Sequence, residues 1–139
     1  MAIFLCQFVV PSQGAAEQGL KSGEVRIMVG GQVYKAAIAR TRSERRKGLM
    51  NRQRLARDEA MLIVFPEADY HEIWMWNMRF SLDLVWISNQ RKVIGVRTVS
   101  PCPALPCPIY RPPGPAKYVL EVAPGSFNSN IGDLVTGRF

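Results

Sequence analysis

Two carboxylates stand where the sequence is otherwise apolar: Asp83 within SLDLVWIS and Glu121 within KYVLEV. A carboxyl taken out of water must be paired, hydrogen-bonded or protonated. Facing each other across a pocket, the two could act as general acid and base in a hydrolase. The alternative makes each a buried anchor for an arginine of the segment RTRSERRKGLMNR, with Arg45 and Arg52 the natural partners. The anchor reading is preferred, because the chain has one histidine and shows no serine or histidine motif of a hydrolytic site.

A second constellation is soft and aromatic. Residues 73–87 read IWMWNMRFSLDLVWI, with three tryptophans and two methionines in fifteen positions. Trp74 and Met75, taken with Met50, Met61 and His71, offer the thioether, imidazole and ring contacts that a cuprous ion accepts. Methionine is also the ordinary filler of irregular core gaps, and that reading ranks above a copper site. No metal or cofactor is therefore expected.

The cysteines point to redox context. Cys102 and Cys107 lie in PCPALPCP with four residues between them. That spacing does not fit a thioredoxin-type motif, and no further metal ligands stand nearby. The pair reads as a disulfide, which would add about 2 kcal/mol by closing a short stiff loop.

Eight basic residues and one acid occupy positions 40–57. A nucleic-acid surface would need them on one face beside exposed aromatics, on a helix long enough to fill a groove. The helix available is about two turns, so a solvated basic face, or weak attraction to anionic lipid, is expected instead.

The elements that position these residues are legible from pattern. EVRIMVGGQVYKAAIA alternates on both sides of Gly30-Gly31 and predicts a hairpin. Thr41-Arg42-Ser43-Glu44 is a capping box. Arg45, Arg46 and Lys47 then suit the helix C-terminus and Gly48 its cap, so Leu49 and Met50 become the plug into the core. AMLIVF (60–65) predicts a strand that Pro66 ends. EIWMWNM and SLDLVWIS predict two more, joined near residues 79–81. A turn at Asn89-Gln90 leads to KVIGVRTVS, and past the proline loop comes KYVLEV. A Gly132-Asp133 turn feeds a last short strand from Leu134.

Strand alternation puts Trp74, Trp76 and Met78 on one face, with Met75 and Asn77 on the other. In the next strand Leu82, Leu84 and Trp86 oppose Asp83, Val85 and Ile87. Both faces are apolar, so the pair is expected to be covered on two sides.

The 139 residues suit one domain, assigned to 23–139. Residues 1–22 are set apart. An apolar stretch over residues 2–10 with small residues after it suggests an export signal, degraded or truncated because no lysine or arginine precedes it, and so a periplasmic or secreted protein. The alternative is a frayed apolar N-terminus or an extra edge strand, which would leave the protein cytoplasmic. Cleavage of the signal would remove Cys6 and leave the even pair, which suits an oxidising compartment. No run approaches the ~18 apolar residues of a membrane span. The formal charge of +7 favours solubility and anionic surfaces without defining a fold. No internal repeat, low-complexity tract or interdomain linker is visible.

ARTRSERRKGLMNR, AMLIVF, WMWN, SLDLVWI, PCPALPCP, YVLEVAPG and IGDLV follow one another in the order of a bacterial and archaeal family. Over about residues 36–136 the chain resembles the domain-of-unknown-function 192 family. The resemblance implies a compact β-rich domain, often behind a signal peptide, with no established biochemical activity. The matching positions are Arg40, Thr41, Glu44, Arg45, Gly48, Leu49, Met50, Arg52, Met61, Trp74, Met75, Asn77, Leu82, Asp83, Cys102, Cys107, Glu121, Gly125, Gly132 and Asp133. Departures from the family pattern are Glu59-Ala60 in place of a glycine, Trp76 and Met78 beside Asn77, and Trp86 and Ser88 further on.

The expectation is a mainly β (α+β) domain, barrel-like or a sandwich, of seven or eight short strands with one short helix. It is expected to be an exported, non-enzymatic monomer that binds a small molecule or an envelope protein and no nucleic acid. The site would be formed by Arg45, Met50, Arg52, Trp74, Met75, Asn77, Asp83 and Glu121, with Trp76 beside them. Aromatic platforms with a few fixed polar groups suit sugars and other amphipathic molecules. A hydrolase using Asp83 and Glu121 is the alternative.

Overall fold

The structure, a computed structural model, describes residues 21–139. The residues on which the export signal and the loss of Cys6 were argued lie outside the described part. Seven strands and one helix follow in the order β1 (Glu24–Val29), β2 (Gln32–Ala39), α1 (Arg42–Lys47), β3 (Glu59–Asp69), β4 (Leu82–Ile87), β5 (Val93–Val99), β6 (Ala116–Val122) and β7 (Val135–Gly137). The mainly β expectation with one short helix therefore holds.

All seven strands form one sheet, in the order β5-β4-β6-β3-β2-β1-β7. The pairs are antiparallel except β2 with β3, which α1 and the residues after it connect as a crossover. The sheet curls until its two edge strands meet over a short stretch. There Val93 N–H donates to Asp133 O at 3.0 Å and Val135 N–H to Arg91 O at 2.8 Å. Unpaired edge groups are thereby satisfied along that stretch.

Two apolar clusters follow from the alternation of side chains across the sheet. One fills the concave side with residues such as Ile27, Tyr34, Leu62, Val85, Ile87, Leu120 and Val135. The other lies on the convex side, where Leu49, Ile73, Met75 and Cys102 cover Ile63, Leu84, Trp86 and Val119. All six residues of β4 are buried, as two covered faces require.

Local signals explain the elements. Gly30 and Gly31 have φ of 56° and 78°, giving the two-residue turn that pairs Val29 with Gln32. Thr41 caps α1: its Oγ1 accepts from Glu44 N–H at 3.1 Å, and Glu44 Oε2 accepts from Thr41 N–H at 2.8 Å. Gly48 N–H donates back to Glu44 O, which closes the helix.

Two expectations need correction. β3 does not stop at Pro66 but runs on to Asp69, with its pairing to β6 shifted between Val64 and Asp69. A proline is tolerated at such an irregularity because its missing N–H interrupts no ladder bond. Residues 72–78 are not a strand and do not form a hairpin with β4. Asn77 turns the chain with φ of 58°, a conformation asparagine tolerates. The segment's backbone forms only single bridges with other described segments, Ile73 to Tyr110 and Trp76 to Cys102. β4 instead lies between β5 and β6.

Candidate functional site

The crossover from β2 to β3 carries α1 onto the convex face, and the 72–78 segment folds over the same face. Between them opens a cleft of about 470 Å³. Arg45, Arg46, Lys47, Gly48 and Met50 form one wall, Ile73, Trp74, Met75, Trp76 and Met78 the other, and Ile63, Phe65 and Glu121 lie beneath. Trp74 is 44% exposed while Met75 is fully buried, so the second wall is anchored by one side chain and presents the other.

Glu121 is the feature of this cleft that the fold does not explain. In register it stands opposite Met61 on β3 and Leu84 on β4. Its side chain therefore shares the convex face with residues that need no polar contact. It is 6% exposed, and its buried Oε2 has no hydrogen-bond partner among the described residues. Burial pushes the carboxyl up to about 7. Near neutral pH the group is thus divided between acid and carboxylate. As the acid it can donate a hydrogen bond; as the carboxylate it can accept several.

The expected arginine anchors are absent for both carboxylates. Arg45 donates to the carbonyls of Arg40 and Val64 and lies over the Phe65 ring, 5.4 Å from its centroid. Arg52 pairs with Glu59 at 3.3 Å. Asp83 is 5% exposed and is held by two donors, Thr98 Oγ1 at 2.5 Å and Gly125 N–H at 2.8 Å. A hydroxyl and a backbone N–H satisfy this carboxylate without the desolvation of a second ion.

Asp83 and Glu121 also fail to face each other. Asp83 stands opposite Val122, and Leu84 opposite Glu121. Directly opposed residues of a ladder share a face, so the two carboxyls project from opposite sides of the sheet. The acid–base pair expected of a hydrolase is not assembled.

Of the residues expected at one site, the structure gathers Arg45, Met50, Trp74, Met75 and Glu121 around the cleft, with Trp76 beside them. Arg52, Asn77 and Asp83 do not line it. Arg52 belongs to the ion pair with Glu59, Asn77 to a turn, and Asp83 to the concave side. Of the soft donors, Met50, Trp74 and Met75 line the cleft, whereas Met61 and His71 do not. The His71 ring instead stacks on Phe65 at 3.7 Å, with Nε2 against Glu67 O at 2.8 Å. Among the described residues no group of three or more His, Cys, Asp or Glu is placed to hold a metal ion.

Phe65, Arg42 and Arg46 were missed as lining residues. Parity along β3 would have found Phe65, which shares its face with Met61 and Ile63. Helical spacing would have put Arg42 beside Arg45 and Arg46. Cys102 and Cys107 are bonded, as expected. Cys102 N–H donates to Met75 O at 3.1 Å, so the cystine loop braces the tryptophan wall. Among the described residues no helix is long and apolar enough to cross a membrane.

The comparisons with known proteins agree with the fold and leave the site without an assigned ligand. The family model DUF192, described as uncharacterized ACR, matches residues 25–136. A crystal structure of a proposed transcription regulator from Sinorhizobium meliloti 1021 is similar with a TM-score of 0.71 and 27% identity, over 82% of this chain and 92% of that one. A crystal structure of a protein of unknown function from Novosphingobium aromaticivorans DSM 12444 is similar with a TM-score of 0.72 and 27% identity, over 87% of this chain and 89% of that one. No curated protein matches the chain.

Proposed function

This chain belongs to the domain-of-unknown-function 192 family, and from that premise we propose that it is a non-enzymatic binding domain whose ligand enters the cleft between α1 and residues 72–78. The observation that carries the reading is Glu121, a buried carboxyl with no partner among the described residues, set beneath that cleft. An apolar pocket with few, convergent polar groups is the usual form of a small-molecule site. An acid kept from water with nothing to bond is costly unless something supplies the bond. The separation of Asp83 and Glu121 onto opposite faces argues against hydrolysis.

We place the domain in the cell envelope, periplasmic or secreted. The Cys102–Cys107 cystine supports an oxidising compartment. The ligand is a small molecule or a segment of an envelope protein.

A thermal-shift screen over sugars, cell-wall fragments, nucleotides, organic acids and metals tests the proposal, since a ligand of the native state raises the midpoint. At least one class should stabilise the wild type and not Trp74→Ala. A flat screen, or stabilisation unchanged in that variant, removes the cleft as the site.

The role proposed for the Sinorhizobium meliloti protein brings nucleic acid as a second reading, favoured by the exposed cations of α1. A six-residue helix offers little to a major groove. Duplex binding that survives physiological salt would favour it; retention lost at modest salt would leave only nonspecific charge.

A further inference from the structure

The same cleft carries a charge asymmetry that narrows its ligand. Arg42, Arg46 and Lys47 are exposed along its rim and make no ion pair among the described residues. The fourth cation of the helix, Arg45, is already committed to two backbone carbonyls and the Phe65 ring. Opposing these cations, Glu72 is engaged by Arg111, and Glu121 lies at the floor. The rim is therefore net positive, with three cations free to meet an incoming group. Below it the walls are tryptophan, methionine and isoleucine, and the floor ends in one carboxyl without a partner.

We propose that the cleft binds an amphipathic organic anion, its aromatic or acyl body between Trp74 and Met50 and its anionic end on Arg42, Arg46 and Lys47. This deepens the binding-domain reading and rests on it. The guanidinium and ammonium groups suit carboxylate, sulfonate or phosphate ends, and they attract an anion before contact. The apolar walls hold what the charge has gathered. Glu121 gives the buried end of the body one hydrogen bond, to an acceptor when the carboxyl is protonated and to a donor when it is not. A cationic ligand would have to pass three like charges, and a neutral sugar would leave all three idle.

Two fluorescent probes with one aryl skeleton separate the layers of this inference. 8-Anilinonaphthalene-1-sulfonate carries the anion, and N-phenyl-1-naphthylamine lacks it. Each is titrated into the full chain at low salt and read by energy transfer from the tryptophans. The sulfonate should bind at least about tenfold more tightly than the neutral probe. The double variant Arg42→Glu/Arg46→Glu, altered only at exposed positions, should cut sulfonate binding by about tenfold or more and leave the neutral probe unchanged. Trp74→Ala should weaken both probes. Equal affinity for the two probes overturns the anionic assignment while the cleft reading stands. Sulfonate binding untouched by the charge reversal also overturns the assignment, because the anion then sits elsewhere. Failure of both probes, or binding untouched in Trp74→Ala, overturns the cleft reading itself.

Discussion

Glu121 lies beneath Gly48: a Cβ built on that glycine would stand 4.0 Å from Oε2 and 3.8 Å from Arg45 O. The space would admit an alanine, but the backbone would resist it, because φ at Gly48 is +46°. A side chain in that region costs about 1–2 kcal/mol. Gly48→Ala should therefore lower the unfolding free energy by about that amount in urea titration. Wild-type stability in this variant would mean that the helix can end in another way.

Glu121 gives stability a pH dependence with a definite sign. Its folded-state value is about 7, raised by burial, while an unfolded glutamate sits near ~4.3. Between these values the folded chain keeps a proton that the unfolded chain has lost. The group's stabilising contribution is thus complete below the unfolded value and is lost as pH rises through the folded one. The loss amounts to about 4 kcal/mol. Glu121→Gln should flatten that part of the profile, measured by urea denaturation from pH 4 to 8. An unchanged slope in the variant would assign it to another group.

Asp83 should behave as a structural acceptor. Asp83→Ala leaves the Thr98 hydroxyl and the Gly125 N–H without their shared acceptor and should cost about 1–3 kcal/mol. Asp83→Asn should cost about 1 kcal/mol, because the amide oxygen can keep the Gly125 bond while its NH₂ donates to Thr98, whose hydroxyl can turn to accept. Probe binding in the cleft should be the same in Asp83→Asn as in wild type, since Asp83 lies on the other face of the sheet. Lost probe binding with retained stability would contradict that placement.

The cystine loop should matter to the tryptophan wall. Cys102→Ser/Cys107→Ser should lose about 2 kcal/mol by the chain-entropy estimate. It should also shift tryptophan emission, because Cys102 is bridged to Trp76 and bonded to Met75 O. Thiol reduction of the wild type should reproduce both effects. An unaltered emission spectrum would show that the wall holds without its brace.

Local signals in the sequence located most of the fold. Alternation about Gly30-Gly31 found the first hairpin, and Thr41 with Glu44 found the start of α1 and Gly48 its end, because capping is a short-range exchange of hydrogen bonds. Pro66 and Asn77 misled for opposite reasons. A proline is harmless where the ladder is already irregular, and an apolar alternation such as IWMWNM is also what a bracing loop needs to bury every second residue. The cleft was half legible. Trp74, Met75 and Glu121 stood out by residue type, but only register separates Asp83 from Glu121. Register depends on which strands become neighbours, and β4 joins β6 across 28 intervening residues, from Ser88 to Pro115.

The crossover between β2 and β3 both reverses the chain, so that two strands run alike, and supplies the cationic rim above Glu121. Altering Arg42, Arg46 or Lys47 would change the charge of the opening without disturbing any rung of the sheet. One connection thus sets the charge of the opening while the sheet beneath it stays fixed.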